Sequence, residues 1–190
     1  MKLALIPPLD ALKTTMRTNY QLMLPHLLNN IEYYDTYKTH CDNSDQFVIF
    51  DNGEAEGEAP NWEDLRAWIE HLKPDEFVIP DTIGNMTETV EKAQQFLMVY
   101  GSDLPRQTQL MFVAQGQNFS EVCRSITWAA AHGRITTIGI PRHLLATTGD
   151  HLIRFRVAKY IERVNQEYMF HHLPLQIHFL GASPLWVHEI

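Results

Sequence analysis

Two carboxylates and a primary amide stand at equivalent places in this sequence. Asp51 follows Phe47-Val48-Ile49-Phe50, Asp81 follows Phe77-Val78-Ile79-Pro80, and Gln115 follows Met111-Phe112-Val113-Ala114. Gly139 closes a fourth run, Ile135 to Ile138. Short continuous apolar runs of this kind read as strands buried on both faces. The Asp-Asn-Gly, Asp-Thr-Ile-Gly and Gln-Gly-Gln segments that follow break them, because Gly tolerates positive φ and Asx side chains bond their own backbone. The polar groups would then gather at the carboxyl ends of the strands. Carboxylates accept from an amidine-like N–H edge, and an amide or backbone N–H donates to a carbonyl, a set suited to a planar heterocycle. One carboxylate is alternatively a general base or a nucleophile. Any one of these residues reads equally well as a helix cap or turn former. Four of them, each closely followed or preceded by Gly or Pro, read better as a site.

The elements that would position the set repeat at roughly 30 residues, the spacing of βαβ crossovers. Strands are expected over residues 2–6, 47–50, 76–80, 109–114, 135–138 and 176–180. Helical spacing predicts helices over 18–31, 62–72, 87–99, 120–131 and 150–164. Asn61 is the expected N-cap of the second helix, Pro74 its stop, and Gly133 the C-terminal cap of the fourth. Residues 35–45 are polar and read as a connector, and the last residues read as the first turns of one more helix. The expected fold class is α/β with a parallel sheet of about six strands in one domain over residues 1–190. Both a doubly wound sheet and an incomplete (β/α)8 barrel satisfy that pattern. No Gly-rich phosphate turn follows the first strand, where Pro7-Pro8 stand instead, which disfavours a dinucleotide fold.

Composition excludes several classes. With 45% hydrophobic and 20% charged residues in 190, a packed core is expected. A formal net charge of -8 argues against a freestanding nucleic-acid-binding module. The two cysteines, Cys41 and Cys123, have no metal-ligand spacing, and ten histidines include no HExxH pair, so neither a metal nor another cofactor is expected. No signal peptide or membrane span is expected, and the cytoplasm is the expected compartment. Arg142, Arg154 and Arg156 follow the fifth strand and read equally as a phosphate path or a solvated helix face. Glu54, Glu56 and Glu58 form an acidic loop after Asp51.

The ordered series Phe50-Asp51-Asn52-Gly53, Ile79-Pro80-Asp81-Thr82, Ala114-Gln115-Gly116, Ile138-Gly139-Ile140-Pro141-Arg142 and His178-Phe179-Leu180-Gly181 resembles the tRNA-guanine transglycosylase superfamily. It is most similar to the phage and bacterial branch that places 7-deazaguanines into DNA. The resemblance implies a (β/α)8 barrel that exchanges guanine for a 7-deazaguanine in a polynucleotide, with DNA favoured over tRNA. It implies a general acid/base role for Asp51. Asp81 would read the N1 and 2-amino edge of the base, Gln115 and Gly116 its carbonyl, and Gly139 and Ile140 would line the pocket near the 7-substituent. Arg142 is the phosphate-contacting candidate. The family's nucleophilic aspartate follows the Leu-Gly motif by one strand, and this sequence has no counterpart to it before Ile190. The tRNA enzymes' Cys3His zinc site is absent too. The expectation is therefore a homo-oligomer or a second polypeptide completing the barrel. The alternatives are a non-catalytic subunit paired with a catalytic transglycosylase chain, and an unrelated small-molecule α/β enzyme.

Overall fold

The computed structural model describes residue 4 and residues 6–167 and 174–181. It is an α/β fold of six strands: β1 (Tyr20–Met23), β2 (Phe47–Phe50), β3 (Glu76–Val78), β4 (Gln109–Val113), β5 (Ile135–Ile140) and β6 (Gln176–Phe179). Strand order in the sheet follows chain order. The pairings of β1 with β2, β2 with β3, β4 with β5 and β5 with β6 are parallel. A doubly wound sheet reverses direction at a switch point. Chain order without reversal is the winding of a (β/α) barrel, so the barrel-like alternative is the one realised.

Among the described residues six α-helices join the strands: α1 (Ile31–Cys41), α2 (Trp62–Leu72), α3 (Met86–Tyr100), α4 (Phe119–Ala130), α5 (Leu144–Thr148) and α6 (Ile153–Glu167). The chain divides into two compact units, residues 1–79 with 96–109, and residues 80–95 with 110–190.

The first unit is built on β1, β2 and β3. Val48, Ile49 and Phe50 are fully buried, as the unbroken apolar run requires. The rings of Phe50, Phe77 and Phe96 continue the core, at centroid distances of 5.9 and 5.5 Å. Asn61 caps α2 as expected, its side chain accepting the Asp64 N–H at 2.9 Å. The helix ends with Lys73 in the left-handed region, φ 53, ahead of Pro74.

The N-terminal part of this unit departs from expectation. Residues 18–31 are not a helix: Tyr20–Met23 is a strand, paired in register with Phe47–Phe50. Residues 35–45 are not a connector either, because α1 covers most of them. Its buried face is Tyr33, Tyr37 and His40, spaced four and three residues apart. Those rings pack, while the two tyrosine hydroxyls satisfy backbone groups at the end of β1 and His40 Nε2 meets the Thr15 hydroxyl at 2.9 Å. Tyr33 Oη accepts the Leu24 N–H at 2.8 Å and Tyr37 Oη donates to the Leu22 carbonyl at 3.0 Å. The expected strand over residues 2–6 falls largely outside the described residues, and the expected terminal helical turns fall wholly outside them.

The second unit holds β4, β5 and β6 with α4, α5 and α6. Phe112, Ile126, Ile138, Val157 and Ile161 are fully buried. Strand β5 runs two residues past its expected end, to Ile140. The helix α5 is an addition to the expected set, closed by Gly149 at φ 67. Helix α4 ends at Ala131, in the right-handed region, two residues before the expected cap Gly133. Gly139 lies within β5, and a Cβ there would meet Leu180 Cδ1 at 2.9 Å and Met111 Sδ at 3.2 Å.

Two outcomes are expected from this packing. Gly139→Ala should lower the urea midpoint by an amount equivalent to about 1–3 kcal/mol, the usual cost of overpacking a tight site. An unchanged midpoint would contradict the close approach of Leu180 and Met111. Burial, with the Arg154 guanidinium adding to it, lowers His178 from 6.5 to about 4. The unfolded chain therefore binds more protons between those values, and stability falls as pH drops through that window. Replacing His178 with Gln should flatten the pH dependence of the urea midpoint between pH 6.5 and 5, where few carboxylates titrate; a slope identical to wild type would count against it.

Candidate functional site

The N-caps of α1 to α4 are asparagines, and that separates Asp81 and Gln115 from the ordinary role of polar residues after strands. Asn85 accepts the Glu88 N–H at 3.1 Å and Asn118 accepts the Glu121 N–H at 3.0 Å. Their side-chain amides also donate to the carboxylates of Glu88 and Glu121, in the first turns of α3 and α4. Neither Asp81 nor Gln115 caps a helix. Both lie in the second unit, 5% and 1% exposed, and they face each other.

Gln115 Nε2 donates to Asp81 Oδ2 at 2.5 Å. Gln115 Oε1 accepts the Gly84 N–H at 2.9 Å and faces His143 Nε2 at 2.7 Å. This orientation of the amide is fixed by its neighbours. Turned over, the amide would set its N–H2 against the Gly84 N–H and its carbonyl against a carboxylate. Because Oε1 only accepts, His143 carries its proton on Nε2. The second N–H of the Gln115 amide is the donor left for a ligand carbonyl.

The loops around the pair are pinned from several sides. Gln117 Nε2 donates to the Gly84 carbonyl at 2.6 Å, and Gly84 takes φ 69 to present both of its backbone groups. Thr89 Oγ1 donates to the Thr82 carbonyl and accepts the Thr82 N–H, each at 3.0 Å. Lys92 Nζ donates to the Asp81 carbonyl at 3.0 Å. Gly116 is tight against α4, since a Cβ there would come 2.8 Å from Glu121 Cβ and 2.9 Å from the Val122 nitrogen. The glycine thus lets the Gln115 loop sit down on the helix N-terminus.

The other sequence-stated residues divide as follows. Ile140 is the buried last residue of β5, and its carbonyl accepts from the Leu180 N–H at 3.1 Å and from Arg154 Nη2 at 3.2 Å. The Gly139 carbonyl accepts the Ala114 N–H at 2.9 Å. Arg142 is exposed on the loop after β5. Arg154, 3% exposed, is no part of a solvated face, whereas Arg156 pairs with Asp150 at 2.5 Å and covers the Phe119 ring.

Asp51 belongs to the first unit, where it follows β2. Its Oδ2 accepts the Gly53 N–H at 3.3 Å, and its own N–H extends the ladder to the Met23 carbonyl. Gly53 needs its φ of 78, and a Cβ on it would lie 2.9 Å from the Glu58 carbonyl oxygen. Buried Asn52 ties this turn down, donating to the Ile79 carbonyl at 3.0 Å and accepting the Glu54 N–H at 2.9 Å. A separate cleft of about 570 Å³ in this unit is lined by residues including His26, Glu58, Asp64, Trp68 and His71, and not by Asp51.

His143 is the site residue that sequence reasoning missed. Its place, three residues after the end of β5 in the segment that holds Arg142, was the available signal. Burial keeps its imidazole below the usual histidine range, so it is neutral at pH 7. The thiols are unlike reactive cysteines: burial raises Cys41 to about 12 and Cys123 to about 11. Among the described residues no cluster of His, Cys, Asp and Glu could hold a metal, and no helix is long and apolar enough to cross a membrane.

Gln115→Leu should destabilise the fold by about 2–4 kcal/mol, because it strips the Gly84 N–H and the Asp81 carboxylate of a buried partner. Chemical denaturation checks this. A loss below about 0.5 kcal/mol would mean that solvent already reaches both groups.

No family model matches this chain, and no curated protein does.

Proposed function

We propose that the second unit carries a binding site for guanine or a 7-deazaguanine, and that the chain acts in base exchange on a polynucleotide, DNA in preference to tRNA, as a transglycosylase or as its base-binding part. The observation that carries this reading is the bond between Asp81 and Gln115. Two residues far apart in sequence, each assigned to one edge of a purine by the motif resemblance, meet as buried neighbours. A buried carboxylate suits the N1–H and 2-amino donors of guanine, and the remaining amide N–H suits its carbonyl. A fold-stabilising bridge alone would need neither the ionisable partner nor the half-buried imidazole beside it.

The energetics set the scale. Leaving a charged acceptor without its ligand donors inside a buried site loses about 1.5–3 kcal/mol per hydrogen bond. Calorimetric titration with guanine and with 7-deazaguanine tests the reading. Wild type should bind at least one of them, and Asp81→Ala should weaken binding by about tenfold or more, the equivalent of roughly 1.4 kcal/mol. Incorporation of labelled base into DNA and tRNA, offered separately, tests exchange. Asp51→Asn should abolish incorporation and leave base binding intact. Equal binding by wild type and Asp81→Ala would sink the assignment of the site.

A further inference from the structure

His143 occupies the N-cap position of α5 and does not cap it. Its backbone is right-handed, φ −67 and ψ −12, and its side chain makes no bond to the helix. The imidazole instead turns to Gln115. Gln115 Oε1 already has the Gly84 N–H, so His143 is not needed to keep that carbonyl satisfied. What the contact does is choose the tautomer. With the proton on Nε2, the lone pair of a neutral ring is on Nδ1. Among the described residues Nδ1 has no hydrogen-bond partner, and the ring is only half-buried. No charged neighbour contributes to the lowering of its pKa, which burial alone causes. The result is an oriented, neutral acceptor anchored on the same amide that Asp81 holds.

We propose that His143 is a specificity-determining residue of this site, its Nδ1 accepting a hydrogen bond from an N–H of the bound base. The proposal rests on the base-binding reading given above. It adds a third group to Asp81 and Gln115, and it makes the site richer in acceptors than in donors. Such a site favours ligands rich in N–H groups, as guanine and the 7-deazaguanines are, over bases that lack the exocyclic amine.

Three variants separate this role from a merely structural one. Asn places a carbonyl near the Nδ1 position and does not reach Gln115. Gln reaches Gln115 from near the Nε2 position and offers nothing at Nδ1. Ala removes both. Each variant is first checked for an unchanged circular dichroism spectrum, then titrated with guanine and 7-deazaguanine. His143→Ala and His143→Gln should weaken binding roughly five- to tenfold, the scale of one hydrogen bond, and His143→Asn should stay within about twofold of wild type. Rescue by Gln and not by Asn, or equal weakening in all three, would reduce His143 to holding Gln115 in place and overturn the proposal. Wild-type affinity in all three would overturn it while leaving the base site standing. If wild type bound neither base, the base-binding reading would fail and this proposal with it. Nitrogen-15 spectra of the histidine rings give an independent check: His143 should show the Nε2–H tautomer, and an Nδ1–H tautomer would refute the assignment.

Discussion

A carboxylate taken out of water must be given partners, and in the second unit that requirement falls on Asp81. The desolvation of an ionised carboxylate is large enough that it is tolerated only when hydrogen bonds replace the lost water. Gln115 supplies one such bond, and the positions of several other groups follow from it. Gly84 must adopt a positive φ to aim its N–H at the same amide. Gly116 must lack a side chain for that loop to settle on α4. His143 must carry its proton on Nε2. A single buried carboxyl group therefore ties together three loop segments, each of which follows a strand.

The division of labour among polar residues in these loops explains how the arrangement is possible. Asn85 and Asn118 take over the helix starts, each also bonding the carboxylate of the glutamate three residues on. Capping is worth about 1 kcal/mol at each helix and satisfies backbone donors that would otherwise compete for Asp81 and Gln115. The side chains at the strand ends are thereby released from backbone duty. In the first unit Asn52 is instead turned to the backbone, bonding its own turn and the carbonyl of residue 79.

Much of this was legible in the sequence. From Phe47 onward the apolar runs are short and bounded by Gly, Pro and Asx residues, so the strands were read within two residues of their places. The same reading failed before residue 47 for a physical reason. Tyr20, Leu24, Leu27, Leu28 and Ile31 fall at helical intervals by coincidence of a four-residue strand followed by a turn of 3-10 helix. The true helix, α1, was hidden because its buried face consists of Tyr33, Tyr37 and His40, which count as polar until their rings are seen packed and their tips bonded. His143 was hidden for a related reason: among ten histidines its place after β5 is a weak signal, and the contact with one amide is what singles it out.

The central claim is that the Asp81–Gln115–His143 group is a base-binding site rather than a brace. The side-chain amide of Gln115 reports on it directly, since both of its protons sit at the junction. Its resonances, assigned through Gln115→Leu, should shift on titration with guanine or 7-deazaguanine and saturate with the same affinity that calorimetry gives. Resonances that stay in place through saturating base, or no saturation at all, would contradict the account.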